Sequence, residues 1–268
     1  MFELEGKVAV VTGAAGILCS QLSKALAKAG VKVVLADFAY EKAVELSKEI
    51  PGSYPVFCNV LDKECLEKVY DEVIAKFGKI DILLNGAGGN KPGATTDEEF
   101  WSGKDDVKSF FKLSEDDFKA VFNLNIIGTL LPTQVFSKAM AGKGGAIVNI
   151  SSMNAFTPLT KIPAYSAAKA GVSNFTQWLA VHFAPANVRV NAIAPGFFLT
   201  DQNRFLLTTE DGGLSERGHK IINQTPMGKF GEPSDLEGAV IFLCSEAASF
   251  ITGIVLPIDG GFSAYSGV

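Results

Sequence analysis

The sequence predicts an α/β fold: a doubly wound parallel sheet of about seven strands with helices on both faces, spanning residues 1–268 as a single domain. Three observations predict it. Apolar runs rich in β-branched residues recur along the chain, amphipathic segments separate them, and the alternation continues to the C-terminus with no linker, repeat or low-complexity tract. With 268 residues, 47% of them hydrophobic, the chain has ample material for one large core.

The first strand is "KVAVVT" (7–12), followed by the small-residue turn "TGAAG" and a helix that Gly30 stops. "KVVLA" (32–36) and "YPVFC" (54–58) are the second and third strands, with helices over 40–50 and 62–77; Asp62 starts the latter and Gly78 ends it. "IDILLN" (80–85) is the fourth strand, and one long helix beginning at Ser114 is expected over 114–141. "GAIVNIS" (145–151), a helix over 163–184, "VRVNAIA" (188–194), a helix over 233–244 beginning at Ser234, and "GIVLPI" (253–258) complete the series. Two long, polar, glycine-bearing stretches break the rhythm: 89–112 after the fourth strand and 197–230 after the sixth. Both leave the carboxyl edge of the sheet, where open α/β sheets bind their ligands, and are expected to wall a substrate site.

Composition narrows the function. A net charge of −5 without a block of like charges gives no reason to expect nucleic acid or an anionic membrane as partner. No apolar stretch reaches the ~18 residues of a membrane span, and the acidic start "MFELEGK" is unlike a signal peptide, so a cytoplasmic location is expected. The four cysteines form no C-x-x-C pair and the chain has two histidines; no metal site or disulfide framework is expected.

Chemistry is concentrated in a few motifs. Small residues in "TGAAG" let backbone N–H groups and a helix N-terminus approach a pyrophosphate in a Rossmann-like manner, although they also serve close strand–helix packing. Asp37, at the end of the second strand, lies where a carboxylate would meet the adenosine ribose hydroxyls, and Phe38 and Ala39 beside it supply no cation for a 2′-phosphate. In "YSAAK", Tyr165 and Lys169 share one helix face, so the ammonium is expected to favour the phenolate and lower the tyrosine pKa from about 10. Ser152, at the end of the fifth strand, is placed to donate a hydrogen bond to the same carbonyl oxygen.

These motifs, with "NGAG" (85–88), Asn125 in "NLNIIGT" and "NAIAPGFFLT" (191–200), follow one another in an order and spacing that resembles the short-chain dehydrogenase/reductase family over nearly the whole chain. The resemblance implies an NAD-dependent oxidoreductase acting on a CH–OH group. It makes Tyr165 the general acid/base, Ser152 the carbonyl-orienting residue, Lys169 the holder of the nicotinamide ribose and Asn125 the support of a proton-relay water. For the cofactor it implies Gly13, Ala15, Gly16 and Ile17 in the first turn, Asp37 after the second strand, Asn59 and Val60 after the third, and Asn85, Ala87 and Gly88 after the fourth. Tyr165 and Lys169 on the catalytic helix, and Pro195, Gly196, Phe198 and Thr200 after the sixth strand, complete that set. The first turn departs from the family's T-G-x-x-x-G-x-G, since Ile17 and Cys19 stand where its later glycines fall, and altered loop geometry with retained binding is expected.

Within the family, "ILCS" and the connection "GAGGNKPGATTDEEF" resemble the D-mannonate oxidoreductases, which implies a small-molecule sugar-acid substrate. Asn90, Lys91, Asn154, Gln202, Asn203 and Arg204 lie on segments able to supply its hydroxyl partners and a cation, with Asn90, Lys91, Asn154 and Arg204 preferred. A gluconate- or polyol-type dehydrogenase, or a catalytically silent dinucleotide sensor, are the alternatives. Pairing of helices between subunits in the family implies a homo-oligomer, a dimer or tetramer.

Overall fold

Seven strands, β1 (Val8–Thr12), β2 (Lys32–Asp37), β3 (Tyr54–Phe57), β4 (Ile82–Asn85), β5 (Gly145–Ile150), β6 (Val188–Pro195) and β7 (Val255–Ile258), form one parallel sheet in the order β3-β2-β1-β4-β5-β6-β7. The computed structural model describes residues 2–200, 207–209 and 212–267. Strand order reverses between β1 and β4, and the crevice at that switch point opens beyond the strands' carboxyl ends.

Alternation along each strand divides the apolar residues between two cores. Ala9, Val11, Val33, Leu35 and Leu84 face α1 (Ile17–Lys28) and the late helix Glu237–Cys244. Val8, Val10, Val34, Leu83 and Ile147 face α3 (Lys63–Phe77) and the helices that follow β4 and β5. Both faces are covered, which explains why the central strands read as continuous apolar runs. Helix α2 (Tyr40–Glu49) packs beside β2 and β3. Asp62 caps α3 by accepting from the Cys65 N–H, and Gly78 ends it in the left-handed conformation.

The expected single helix over 114–141 is not continuous. It consists of α4 (Glu115–Phe122), capped by Ser114, a wide π-type turn over Asn123–Ile127, α5 (Gly128–Phe136) and a 3₁₀ turn over Ser137–Ala139. Pro132 removes one backbone donor within α5. The π-type turn carries Asn125, and such turns recur at functional sites because they re-aim one side chain. Helix α6 (Pro163–Phe183) carries Tyr165 and Lys169, α7 (Glu216–Asn223) lies in the second long stretch, and α8 is the late helix Glu237–Cys244. Ser234 is not the cap of the segment leading into α8. That cap is Glu232, whose side chain and that of Asp235 form a reciprocal capping box ahead of Pro233–Leu236.

Candidate active site

The turn after β1 is built to approach β4 closely. Gly13 has a φ of 64°, and a Cβ there would lie 2.9 Å from the Ala87 Cα. The Thr12 hydroxyl accepts from the Gly86 N–H at 3.1 Å, which ties the ends of β1 and β4 together. Gly16 is the N-cap of α1 and provides no side-chain cap, and the first turn of α1 contains no acidic residue. The free N–H groups and positive end of the helix dipole there suit a pyrophosphate. Ile17 is the first residue of α1; among the described residues, the non-glycine positions with positive φ are Lys161 and Asn187, so the departure from the glycine pattern places no strain on Ile17 or Cys19.

Asp37 braces the same turn. One carboxylate oxygen accepts from Ala15 N–H at 2.9 Å and the other from Ala39 N–H at 2.8 Å, leaving further lone pairs for ribose hydroxyls. Asn59 and Val60 follow β3, where the Asn59 carbonyl-type side-chain oxygen accepts from Leu61 N–H at 3.0 Å and Val60 is buried. The Asn85 amide nitrogen is committed inside the core, where it donates to Thr133 Oγ1 and Asn149 Oδ1, both at 2.9 Å. After β6, Gly196 N–H donates to the Ile258 carbonyl at 2.9 Å, and Phe198 is buried among core residues. Pro195 is the last residue of β6, and Thr200 is the last described residue before position 207.

The four expected catalytic side chains converge at the ends of β4 and β5. Ser152 follows β5 and accepts from Asn154 N–H at 3.2 Å. Tyr165, half-buried in the first turn of α6, packs in the small cluster of Ala94, Val121, Ala164 and Phe118. Lys169, one turn on and 4% exposed, donates to the Ile150 carbonyl at 2.7 Å and has its Nζ 5.6 Å from the Tyr165 ring centre. Asn125 is fully buried, and its amide donates to the carbonyls of Gly89 and Val121, each at 2.8 Å. A Cβ on Gly88 would lie 2.7 Å from Asn125 Oδ1 and 3.2 Å from Lys169 Nζ. A side chain at position 88 would therefore collide with Asn125 and Lys169, and the glycine lets the backbone pass close to both.

The electrostatics correct one expectation. Burial pushes the Tyr165 phenol above its usual range; the hydrogen bond with Ser152 opposes this but does not reverse it. Burial also pulls the Lys169 ammonium down to about 8. Lys169 does not lower the tyrosine pKa in this geometry, since desolvation dominates both groups.

Both long stretches help to wall a cavity of about 820 Å³. Glu99 comes from the first, and Phe197 and α7 residues from the second. A third wall is Leu159, Thr160 and Lys161, from the loop that leads into Tyr165. Sequence reasoning passed over that loop, which has no motif; Lys161 stands four residues before Tyr165, and only the fold turns it to the cavity. Asn154 is buried beside Ser152. Asn90 donates to Thr95 Oγ1 at 3.0 Å and Lys91 is exposed, and neither lines this cavity. Arg204, with Gln202 and Asn203, lies outside the described residues. Among the described residues, no group of three His, Cys, Asp or Glu side chains is placed to hold a metal ion. No described helix is long and apolar enough to cross a membrane.

Comparison with known proteins agrees with this geometry. The family model described as enoyl-(acyl carrier protein) reductase matches residues 13–263. An "uncharacterized oxidoreductase" of Haemophilus influenzae is 53% identical over 273 residues, covering 99% of this chain and 96% of the relative. The 2-dehydro-3-deoxy-D-gluconate 5-dehydrogenase of Escherichia coli is 33% identical over 270 residues, covering 98% of each chain. A crystal structure of a "putative D-Mannonate oxidoreductase from Haemophilus influenza" with bound NAD superposes with a TM-score of 0.95 at 51% identity, covering 99% of this chain and 98% of that one. The chain belongs to the short-chain dehydrogenase/reductase family and is an NAD-dependent oxidoreductase acting on a CH–OH group.

Proposed function

We propose that the enzyme interconverts a sugar acid and its keto form, with D-mannonate and D-fructuronate as the pair. The observation that carries this reading is a cavity of about 820 Å³ that is bounded by the loop that leads into Tyr165 and carries the cations Lys161, Arg217 and Lys220 on its wall. The 51% identical, NAD-bound structure named for D-mannonate supports the same substrate class. Bound NAD supplies the hydride acceptor or donor. Tyr165 gives its phenolic proton to the substrate oxygen as the alcohol forms, and takes it back in oxidation. Ser152 donates a hydrogen bond to that oxygen and fixes its position. Lys169 holds ribose hydroxyls, and Asn125 keeps the Gly89 backbone in place beside them. Gly13, Ala15, Gly16 and Asp37 hold the pyrophosphate and adenosine ends.

A gluconate-type substrate is the second reading, favoured by the 33% identical 2-dehydro-3-deoxy-D-gluconate 5-dehydrogenase. A silent dinucleotide sensor would have no use for the assembled Ser152, Tyr165 and Lys169. The exposed apolar side chains Trp178, Val181 and Phe250 fit a homo-oligomeric assembly. Ranking kcat/KM for D-fructuronate, D-tagaturonate, 5-ketogluconate and neutral ketoses with NADH tests the substrate. A preference for neutral ketoses would overturn the sugar-acid reading.

A further inference from the structure

We propose that Lys161 and Arg217, on the wall of the cavity bounded by the loop before Tyr165, form a two-cation subsite for the substrate carboxylate. This rests on the sugar-acid reading above and assigns the charged end of that substrate to specific residues.

The charge balance of the cavity wall singles out these two. Five charged side chains line it: Glu99, Lys161, Glu216, Arg217 and Lys220. Lys220 lies 3.5 Å from Glu99 and 3.5 Å from Glu216, so the two carboxylates share one ammonium. Among the described residues, neither Lys161 nor Arg217 has an ion-pair partner. Three cations against two carboxylates leave the wall with one surplus positive charge, carried where Lys161 and Arg217 lack ion-pair partners; that attracts an anion, and the guanidinium fork can grip a carboxylate through two hydrogen bonds. Around them Thr160, Asn223 and Gln224 offer donors and acceptors of the kind a polyhydroxylated chain needs.

Backbone conformation supports the assignment. Lys161 has a φ of 71°, a left-handed conformation that a side chain makes unfavourable and that glycine would adopt freely. Its carbonyl accepts from Thr96 N–H at 2.8 Å, so the insertion after β4 holds the residue in place. Backbone strain of this kind concentrates at ligand sites. Lys161 comes from the loop before Tyr165 and Arg217 from α7, so a bound carboxylate would tie the loop to α7 across the cavity.

The test uses Lys161→Gln, Lys161→Gly and Arg217→Gln in the full-length enzyme. Each is expected to raise KM for D-fructuronate at least tenfold and to leave KM for NADH within twofold. The methyl ester of D-fructuronate, which lacks the charge, should bind wild type at least tenfold more weakly than the acid, and the variants should lose little further affinity for it. Lys161→Gly guards against misfolding, because it relieves the backbone strain and should unfold at the same temperature as wild type or higher. If wild type turns over D-fructuronate and any of the three variants keeps its KM within twofold, the two-cation subsite is wrong and the sugar-acid reading stands. If wild type reduces only uncharged ketones, the sugar-acid reading fails and the subsite with it.

Discussion

The thiol of Cys19, in the first turns of α1, occupies the space that any side chain at Gly86 would need. A Cβ built on Gly86 would overlap Cys19 Sγ and lie 2.8 Å from the Thr12 carbonyl oxygen. The departure from the glycine pattern is thus compensated on the neighbouring strand: the helix gains a buried thiol and the turn after β4 does without a side chain. Gly86→Ala should destabilise the fold by about 1–3 kcal/mol through overpacking. Adding Cys19→Ala should recover part of that loss, because it removes one of the two obstructions while the Thr12 carbonyl remains. A double-mutant cycle on urea midpoints measures the coupling, and additive effects would refute the compensation.

Strands were the most legible part of the sequence, because burial on both faces leaves continuous β-branched runs that end where polar turns begin. The break in the 114–141 helix was not legible. Polar residues in the segment from Asn123 to Phe136 do not mark a solvent face, because Asn125, Thr129 and Thr133 are buried and the two threonines bond to carbonyls four residues back, so the extra residue in one turn leaves no break in a polar stripe. The resemblance to the family, carried by the order and spacing of its motifs, picked out Tyr165, Lys169, Ser152 and Asn125 as a set, while the shared helix face of Tyr165 and Lys169 gave the wrong sign for the tyrosine pKa. Sequence spacing carries the charge on Lys169 but not its desolvation. Lys161 was invisible for a related reason: its importance lies in a backbone angle and in a cavity assembled from three distant segments.

Asp37 should make the enzyme prefer NADH to NADPH, because its carboxylate would face a 2′-phosphate with like charge. Asp37→Ala should narrow the ratio of kcat/KM values at least tenfold. The same change strips the Ala15 N–H of its acceptor, so KM for NADH should rise as well. Equal efficiency with both cofactors in wild type would sink the assignment.

Tyr165→Phe keeps the ring that packs against Ala94, Val121 and Phe118 but loses the phenolic proton. Turnover should fall at least a hundredfold, with NADH affinity unchanged within a few-fold and the same thermal midpoint. Ser152→Ala should cost less than Tyr165→Phe, because in the proposed mechanism the serine orients the oxygen but transfers no proton to it. Residual activity of Tyr165→Phe above a tenth of wild type would remove the tyrosine from its role.

Lys169 gives the sharpest link between stability and pH. Its pKa falls from 10.5 to about 8 on burial, so between those values the folded chain holds fewer protons than the unfolded one. Stability therefore rises with pH as the group passes 8, and below 8 the buried charge costs on the order of 3 kcal/mol, at ~1.4 kcal/mol per pKa unit. The buried thiols of Cys19, Cys58 and Cys244, pushed from 9.0 to about 12, act in the opposite sense. Above pH 9 the folded chain holds more protons at these sites and stability falls. Urea unfolding of the protein without added NAD should then show a rise from about pH 8 to pH 9, followed by a decline. Lys169→Met, similar in shape and uncharged, should lose that rise and be more stable than wild type at pH 7, even after losing the hydrogen bond to the Ile150 carbonyl, worth about 1 kcal/mol. It should be inactive at the same time, because the ammonium proposed to hold the ribose is gone. A Lys169→Met protein less stable than wild type at pH 7 would show that the ammonium contributes more through its hydrogen bond than its burial costs.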